Sequence, residues 1–440
     1  MSSSPRAREI AVHRLLRVEA DGAYVARLSD RGIDPAEARR ASDYVAGVTR
    51  WRRWLDHLID RFYRGDIATL QPELLQVLRV GLYDLVIRET PPHAAVSEAV
   101  GTAKAMLHKG AAGLTNAVLR AASRQLDALA MPDTGDLADD LAVRFSHPTW
   151  MVRRWLERWS REDVEHLLAA NNAAPTFGLR VNALRTTQAD SLRQLEVLGV
   201  NAQPSRWLDD FVTTQQLQPI LKSDALETGE LAVQDEAAGL VVRALDPQPG
   251  DQVLDAAAAP GGKAIYTAIR MENTGSVHAL DISEAKVRLI RDAAERHGTT
   301  IVETVAEDLC AWEHSRPFDR VLLDAPCSGT GVLAKRADLR WNRSPEDLIE
   351  LAALQDALLD AAARHVCPGG LLAYSTCSIE PEENEHRIDS FLHRHPEFSR
   401  QPVGDLVPEA MRTSSGAYAA LPHVHGTDGA FAARLVRSPS

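Results

Sequence analysis

The chain has 440 residues, and at about 150 residues per domain this length predicts two or three domains. Apolar residues make up 45% and charged residues 25%, which is typical of a folded globular protein and excludes wholesale disorder. The net charge of −12 on average disfavours a nucleic-acid partner, because proteins that bind phosphates are usually basic.

The first 130 residues show helical periodicity, and breakers at 32–35, 71–72 and 91–92 divide them. This stretch predicts an all-α bundle of five to seven helices. It holds 19 lysines and arginines against 15 acids, whereas the rest of the chain holds 30 against 46. Within it, five arginines surround two tryptophans, which suits either an RNA-binding face or a solvated helix face over core aromatics. These residues are Arg39, Arg40, Arg50, Arg52, Arg53, Trp51 and Trp54.

The rest of the chain changes character twice. A polar stretch at 131–140 is predicted to be a linker, and residues 141–229 mix helical and strand patterns in a middle α+β segment. From residue 230 onward, apolar strands alternate with helices of 10 to 20 residues. Such alternation predicts βαβ units and a parallel, doubly wound sheet.

The compartment is predicted from segments that the chain lacks. The first residues carry charges within their apolar stretch, and no apolar run reaches about 18 residues, so neither a signal peptide nor a membrane span is predicted. The four cysteines have no C-x-x-C spacing, which disfavours a disulfide scaffold and a metal site. We therefore expect a soluble, cytoplasmic protein without metal and, since no interface pattern stands out, a monomer.

A loop of small residues follows the first strand of the C-terminal part, which ends at Asp255. The loop and the start of its helix are Ala257, Ala258, Ala259, Pro260, Gly261, Gly262 and Lys263. Small residues let a ligand approach the backbone, and a helix N-terminus offers unpaired N–H groups, although an ordinary βα turn can have the same composition. The spacing matches neither the dinucleotide fingerprint nor the P-loop, which disfavours both ligands.

Two acids follow the next strands. Asp281 ends the second strand, where an acid either holds the ribose hydroxyls of an adenosine ligand or caps the helix that follows. Asp308 follows the third strand, a position from which it can face an adenine amine, and a loop aspartate is also commonplace.

Two further strand ends carry a thiol. Cys327 lies in Asp324-Ala-Pro-Cys-Ser-Gly-Thr-Gly331, and Cys377 lies in Tyr374-Ser-Thr-Cys-Ser-Ile379. Because parallel sheets bind ligands at the carboxyl ends of their strands, both thiols are predicted to converge there, beside Asp324. A lone cysteine is more often a small buried residue, which is the prediction for the remaining two, Cys310 and Cys367.

These segments resemble the RNA (cytosine-5) methyltransferases. The two thiol sequences are similar to their motifs IV and VI, and the Ala-Ala-Pro-Gly-Gly-Lys loop resembles their S-adenosylmethionine motif I. Further segments are similar to the RsmB (Sun/Fmu) subfamily, whose members carry a NusB-like helical domain, so the resemblance covers nearly the whole chain. These segments are Gly113–Arg120, Phe145–Trp150, Leu179–Asn182, Val233–Ala238 and Asp428–Arg434, the last resembling the closing hairpin of the sheet.

The resemblance implies domains and a reaction. The domains are a NusB-like RNA-binding bundle (1–130), the linker (131–140), a middle α+β subdomain (141–229) and a Rossmann-like methyltransferase domain (230–440). The reaction is methyl transfer from S-adenosylmethionine to carbon 5 of a cytosine in small-subunit ribosomal RNA. A tRNA substrate, or a non-catalytic RNA-binding assembly factor, is the alternative.

The resemblance also implies roles for residues. Cys377 is the nucleophile that adds to carbon 6, Cys327 assists product release, and Asp324 hydrogen-bonds the cytosine edge. Lys263 contacts the base or lowers the thiol pKa, although on the sequence alone a solvated helix start fits this lysine equally well. The cofactor is held by 257–263, Asp281, Asp308 and Asp324.

Two positions depart from the family pattern. Ala257 and Ala264 replace the Cys and Thr that are usual in motif I. Because neither position is a nucleophile in the family, we expect altered cofactor packing rather than lost activity.

Overall fold

The computed structural model describes residues 6–21, 33–126, 129 and 132–439. The chain forms two compact units, and the first is discontinuous in sequence. The first unit comprises Met1–Asn172 and Arg336–Asn342, and the second comprises Ala173–Lys335 and Arg343–Ser440.

The described part of the first unit is helical. Its helices are α1 (Ala7–Asp21), α2 (Pro35–Phe62), α3 (Pro72–Leu82), α4 (Pro92–Met106), α5 (Lys109–Ser123), α6 (Leu137–Arg144), α7 (Thr149–Leu156) and α8 (Arg161–Asn172). A proline begins α2, α3 and α4, where its missing N–H has no helical partner to lose. The predicted all-α bundle is therefore confirmed, with α1 to α5 in the first 123 residues.

The arginine and tryptophan cluster on α2 belongs mainly to the packing of this unit. Trp54 is 1% exposed, and Arg53 donates hydrogen bonds to Asp139 and to the carbonyl of His147. The Arg52 guanidinium lies 4.2 Å from the ring centre of Trp341. The structure thus favours the core-aromatic alternative for these residues, while Arg39 and Arg40 are exposed.

A buried arginine, Arg340, anchors the segment Arg336–Asn342 in the first unit. Arg340 is fully buried, and its guanidinium donates to the carbonyls of Ser146 and Asn171 and to Oδ1 of Asn172. Burial lowers its pKa to about 9. These carbonyl and amide acceptors provide the hydrogen bonds that a buried guanidinium requires.

The second unit begins with a small antiparallel sheet, in the order β2-β3-β1-β4. Its elements are β1 (Phe177–Val181), α9 (Gln188–Val197), β2 (Ala202–Pro204), β3 (Phe211–Thr214), α10 (Leu217–Leu221) and β4 (Leu231–Val233). Leu179 and Val181 of β1 face an apolar cluster with Leu195 of α9. An α+β segment was predicted between the bundle and the larger sheet, over residues 141–229; the sheet and its helices occupy 177–233, and residues 141–172 belong to the helical first unit.

A larger sheet follows, with helices between its strands. The strands are β5 (Gln252–Asp255), β6 (Ser276–Asp281), β7 (Val302–Ala306), β8 (Phe318–Asp324), β9 (Val366–Thr376), β10 (Phe398–Gln401), β11 (Tyr418–Ala420) and β12 (Ala430–Arg437). The helices are α11 (Glu236–Leu245), α12 (Gly262–Arg270), α13 (Glu284–His297), α14 (Pro345–Ala363), α15 (Glu385–Arg394) and α16 (Pro422–His425).

The order of the larger sheet is β10-β12-β9-β8-β5-β6-β7, with β11 paired to β12. Strands β5 to β9 are parallel, and β12 lies antiparallel between β9 and the edge strand β10, with β11 also paired to it. The strand order reverses at β5, whose neighbours are β6 and β8. Doubly wound sheets bind ligands at the carboxyl ends of the strands at such a point.

The predicted fold class is confirmed: a helical N-terminal part, a middle α+β segment and a Rossmann-like C-terminal sheet. Among the described residues, no helix combines the length and the apolar character that crossing a bilayer requires.

Candidate active site

The loop after β5, residues 256–262, is named the motif I loop. The Ala258 N–H donates to the carbonyl of Leu280 on β6 (2.8 Å), and the Gly261 N–H donates to the carbonyl of Ala258 (2.7 Å). Gly261 has a φ of 104°, a left-handed conformation that favours glycine, and α12 begins at the next residue. The loop thus aims the N-terminus of α12 at the carboxyl edge of the sheet.

Arg180 on β1 supports this loop, although sequence reasoning did not assign it a role. It is 1% exposed, and its Nη1 donates to the carbonyl of Gly262 (2.7 Å) and to Oε1 of Gln234 (2.6 Å). Burial lowers its pKa to about 10. Two upstream segments that resemble the family, those containing Arg180 and Gln234, therefore meet at the start of α12.

Three acids at this edge differ in their surroundings. Asp281 is 8% exposed, and its Oδ1 accepts the Ser283 N–H (3.1 Å), so it forms the turn before α13. Asp308 follows β7, is exposed, and accepts the Cys310 N–H (2.9 Å). Asp255, at the end of β5, is 2% exposed, and neither carboxylate oxygen has a hydrogen-bond partner among the described residues. Burial raises the pKa of Asp255 to about 7, with Asp324 adding to the increase and Lys263 opposing it.

Lys263 and Asp324 form an ion pair between α12 and β8. Lys263 Nζ lies 2.6 Å from Asp324 Oδ2, and Asp324 Oδ1 accepts a hydrogen bond from the Ser375 hydroxyl (2.7 Å). Burial opposes the charge of Lys263, but the Asp324 carboxylate more than offsets this and raises the Lys263 pKa, with further contributions from Asp255 and Cys377. The ammonium is therefore held charged by Asp324, and among the two predicted thiols it interacts with Cys377.

The structure brings the two predicted thiols together. The Sγ atoms of Cys327 and Cys377 are 3.2 Å apart, just past the ends of β8 and β9. The hydrogen bond to Cys377 and burial raise the pKa of Cys327 well above its usual range, and the charges of Glu383 and Asp324 add to this. When the pair of cysteines carries one proton, the protonated sulfur donates a hydrogen bond and the other sulfur accepts it.

The loops that carry the thiols, residues 325–331 and 377–384, are named the thiol loops. A buried polar network joins them: Glu383 Oε1 accepts the Ser328 N–H (2.8 Å), and its Oε2 accepts the Ser328 hydroxyl (2.5 Å). The Ser328 hydroxyl also lies 3.2 Å from that of Ser378, which is 3.2 Å from the hydroxyl of Thr330. These four residues were not predicted from the sequence.

Close backbone contacts also fix the thiol loops. The Gly331 N–H donates to the carbonyl of Cys377 (3.0 Å), and the Gly429 N–H donates to the carbonyl of Gly331 (2.7 Å). A Cβ on Gly331 would lie 2.6 Å from the Gly429 oxygen and 2.7 Å from the Cys377 oxygen. Arg343 donates from Nε to the carbonyl of Ser328 (3.1 Å).

Lys335, just after the first thiol loop, joins two segments that resemble the family. Its Nζ contacts Asp235, which caps α11, and Asp428 (3.1 Å). Burial and the neighbouring Asp235 raise the pKa of Asp428 to about 7. This contact links residues that begin α11 and precede β12.

The two remaining cysteines lie outside this arrangement. Cys310 is exposed and Cys367 is half-buried, so neither has the full burial that is usual for a lone cysteine. The turn after Asp308 places Cys310 at the surface, where its N–H is used by the Asp308 carboxylate. Within the described part of the chain, no group of His, Cys, Asp and Glu side chains has the arrangement of a metal site.

The reversal of strand order at β5, with a small-residue loop and two thiol loops at the carboxyl edge, is the architecture of a Rossmann-like methyltransferase. Family models match three parts of the chain: NusB family (5–124), the ferredoxin-like domain of Methyltr_RsmF/B-like proteins (147–220) and 16S rRNA methyltransferase RsmB/F (242–436).

Relatives match over most of the chain. The probable ribosomal RNA small subunit methyltransferase B of Bacillus subtilis is 35% identical, over 96% of this chain and 97% of its own length. The ribosomal RNA small subunit methyltransferase B of Pseudomonas syringae pv. tomato is 35% identical, over 83% of this chain and 80% of its own. The chain therefore belongs to the 16S rRNA methyltransferase RsmB/F family, as its motifs predicted.

Solved structures agree with this fold. The crystal structure of PH0851 is 26% identical and has a TM-score of 0.78, covering 99% of this chain and 100% of that chain. A methyltransferase homolog protein from Pyrococcus horikoshii is 29% identical with a TM-score of 0.59, covering 70% of this chain and all of its own.

Proposed function

We propose that this protein transfers a methyl group from S-adenosylmethionine to carbon 5 of a cytosine in small-subunit ribosomal RNA. The observation that carries the proposal is the pair of sulfurs 3.2 Å apart, beside the Lys263–Asp324 ion pair. Carbon 5 of cytosine is a weak nucleophile, so the reaction needs an activating addition at carbon 6. The names of the relatives support ribosomal RNA as the substrate.

The features of the motif I loop fit the proposed cofactor. The loop side chains are small, α12 begins at Gly262, and Asp255 has two buried oxygens without partners among the described residues. An N-terminus and an unpaired acid suit a ligand that carries both a carboxylate and cationic groups, as S-adenosylmethionine does. We propose that residues 257–263, Asp281, Asp308 and Asp324 hold it. When bound, it supplies the electrophilic methyl group that carbon 5 receives.

The side chains of the site then perform the remaining chemistry. The Cys377 thiolate forms a bond to carbon 6, the carbon 5–carbon 6 double bond supplies the electron pair for carbon 5, and Asp324 stabilises a proton at the ring nitrogen. After methylation, Cys327 in its thiolate form accepts the proton from carbon 5. The electron pair of that C–H bond re-forms the ring double bond, and the bond from carbon 6 to Cys377 breaks, which returns a thiolate.

Replacing each thiol tests these assignments. We expect Cys377→Ala to remove both methylated product and any covalent protein–RNA adduct. We expect Cys327→Ala to accumulate the adduct, seen as a denaturant-resistant band of lower mobility that carries labelled RNA. The matched control is Cys367→Ala, which lies outside the site and should turn over normally. Undiminished turnover by Cys377→Ala would overturn the mechanism, and a Cys327→Ala protein that neither traps RNA nor slows would overturn the release role.

The RNA substrate and the non-catalytic alternative are tested separately. Bisulfite sequencing of ribosomal and transfer RNA from a deletion strain should reveal a lost 5-methylcytosine in small-subunit RNA, and a loss confined to tRNA would favour that substrate instead. Calorimetry with S-adenosylmethionine should give saturable binding, whereas a protein retained only for assembly with a decayed pocket should give none.

We place the RNA phosphates mainly on the first unit. Because Arg52 and Arg53 take part in packing, exposed cations on α4 and α5 are the better candidates: Lys104, Lys109 and Arg120. We expect the full chain with Lys104→Glu and Arg120→Glu to bind RNA more weakly, with the slope of log K against log salt reduced by about one per lost contact. The matched control is Lys222→Glu on the middle segment, and an equal loss with this control would contradict the assignment.

A further inference from the structure

Glu383 is a buried acid at the centre of the thiol loops, and neither the motifs nor the proposed steps use it. It is 0% exposed, and no ion pair among the described residues includes it. Its carboxylate accepts hydrogen bonds from the N–H and hydroxyl of Ser328 and from Nε2 of Gln355 (3.1 Å). These three donors provide the hydrogen-bond partners that a buried carboxylate requires.

The two sulfurs therefore meet different charges. The charges of Glu383 and Asp324 contribute to the raised pKa of Cys327, whereas the charge of Cys377 contributes to the raised pKa of Lys263. A carboxylate disfavours a nearby thiolate, and an ammonium favours one. Other charged or titratable groups nearby are Arg343, whose Nη2 donates to the Cys327 carbonyl (3.3 Å), Tyr374, whose pKa the charge of Cys327 raises, and Asp255, whose raised pKa Lys263 opposes.

We propose that Glu383 is a positioning residue that keeps Cys327 protonated, so that Cys327 donates its S–H to Cys377 and Cys377 is the sulfur that attacks. Glu383 acts through geometry and through charge. Glu383 hydrogen-bonds Ser328, the residue after Cys327, and so fixes the backbone there. Ser328 in turn contacts Ser378, the residue after Cys377, which fixes the two thiol loops relative to each other. The negative charge of Glu383 opposes ionisation of Cys327 without an equal effect on the sulfur beside Lys263.

This arrangement also orders the steps. While Cys377 is a thiolate, it accepts the S–H of Cys327 and opposes a second negative charge on the pair. Once Cys377 is bonded to carbon 6, that anion is gone, and Cys327 can release its proton to solvent. The sulfur of Cys327 is then an anion of high proton affinity at the moment when carbon 5 must lose its proton. The inference rests on the proposed function for the attack by Cys377 and for this last step.

The decisive variant is Glu383→Gln, which keeps the size and an acceptor oxygen for Ser328 and removes the charge. Full-length protein without RNA is treated with iodoacetamide from pH 6 to 10, and mass spectrometry follows alkylation of each cysteine-containing peptide. We expect the alkylation midpoint of Cys327 to fall by about one pH unit, so that Cys327 reacts about tenfold faster at neutral pH. The midpoint of Cys377 should move less. Glu385→Gln, the same change two residues along the chain, should move neither.

Two results would overturn the proposal. One is a folded Glu383→Gln protein, judged by its thermal melt, in which the Cys327 midpoint is unchanged. The other needs no variant: in the native protein, Cys327 must alkylate at a higher pH than Cys377, and the reverse order would refute the assignment even if Glu383→Gln fails to fold. Because alkylation requires neither RNA nor methyl transfer, failure of this inference is distinct from failure of the proposed reaction.

A second measurement links the charge to turnover. With RNA and S-adenosylmethionine, Glu383→Gln should lower kcat by about tenfold or more while KM for RNA changes less than twofold. Glu383→Asp, which retains the charge on a shorter side chain, should keep the Cys327 alkylation midpoint near its native value. If Glu383→Asp alkylates like Glu383→Gln, the effect comes from packing and the electrostatic role is wrong.

Discussion

The motif I loop and the thiol loops lie at the same edge of the larger sheet but are built in opposite ways. Between Ala256 and Gly262 the motif I loop has no polar side chain, and a guanidinium from another sheet holds its end. The thiol loops instead carry hydroxyl and carboxyl groups that hydrogen-bond each other beneath the sulfurs. The difference fits the proposed roles, in which the first loop admits the cofactor and the second pair fixes two reacting atoms.

Added volume should therefore do the most damage in the thiol loops. Gly331→Ala would place a Cβ 2.6 Å and 2.7 Å from two backbone oxygens, neither of which can rotate away. We expect the free energy of unfolding of the second unit to fall by about 3 kcal/mol and methylation to fall by at least a hundredfold. Urea unfolding and a tritiated-methyl transfer assay measure the two effects.

A glycine with open surroundings provides the control for that variant. Among the described residues, no atom would lie within 4 Å of a Cβ on Gly101, which is exposed on α4. Gly101→Ala should therefore be neutral or stabilise by up to about 1 kcal/mol. Normal stability and activity in Gly331→Ala would mean that the thiol loops are more adaptable than their contacts indicate.

The buried Asp255 carboxyl group, just before the motif I loop, should make the stability of the folded chain depend on pH. The folded-state pKa of Asp255 is about 7, above the ordinary value of 3.8, so between these values the folded chain binds more protons than the unfolded chain. The protonated Asp255 side chain therefore makes its full contribution to the free energy of unfolding below pH 3.8. This contribution decreases as the pH rises from 3.8 to about 7. Asp255→Asn removes this loss, so we expect its stability relative to the native chain to rise by on the order of 3 kcal/mol between pH 5 and pH 8.

Urea titrations at pH 5, 6.5 and 8 without cofactor check this expectation. Asp308→Asn, at an exposed acid on the same edge, should show no comparable trend. A constant difference between Asp255→Asn and the native chain across this range would mean that Asp255 is charged and compensated in the folded state.

The contrast between the loops also explains what the sequence could predict. The strand patterns place Asp255, Asp281, Cys327 and Cys377 at carboxyl ends, and the parallel-sheet rule then brings the thiols together, as the structure does. The local signal suffices because strand ends and small-residue loops are determined within a few residues of chain. Likewise, the prolines at the starts of α2 to α4 marked the helices of the bundle.

Residues whose roles depend on distant contacts gave no such signal. Glu383 lies in an acidic run that is typical of a solvated surface, and only the 3₁₀ turn Pro381–Glu383 brings it into the core. Arg180 was recognised as part of a strand, but its bond to Gly262 spans 82 residues of chain. Arg340 lies between segments of the second unit in sequence and packs in the first. No periodicity or spacing encodes these long-range partners.

A smaller change tests whether the motif I loop is shaped for its ligand. A Cβ on Gly262 would come no closer than 3.8 Å to any neighbour, which is an ordinary contact. We expect Gly262→Ala to leave the unfolding free energy within about 0.5 kcal/mol of the native value, because nothing is displaced. Affinity for S-adenosylmethionine should nevertheless fall about tenfold, since the ligand must approach this backbone.

Calorimetry with the cofactor and urea unfolding separate the two effects of Gly262→Ala. The matched comparison is Gly331→Ala, which should lose stability as well as activity. If Gly262→Ala binds the cofactor as tightly as the native chain, the small residues of the motif I loop serve the turn and not the ligand.

The smallest effect is expected where this chain departs from the family pattern. Ala257 is half-buried, so a thiol at this position has space at the edge of its cluster, whereas Ala258 is 6% exposed and packed in the core. We expect Ala257→Cys to change stability by less than about 0.5 kcal/mol and cofactor affinity by less than threefold, because one added atom neither clashes nor creates a cavity. Ala258→Cys, the same change one residue along, should cost about 1 to 3 kcal/mol. A large gain in cofactor affinity with Ala257→Cys would mean that the alanine in this chain weakens cofactor binding. The motif I loop would then tolerate a residue that lowers its affinity, as well as added side-chain volume, and would differ from the thiol loops in both respects.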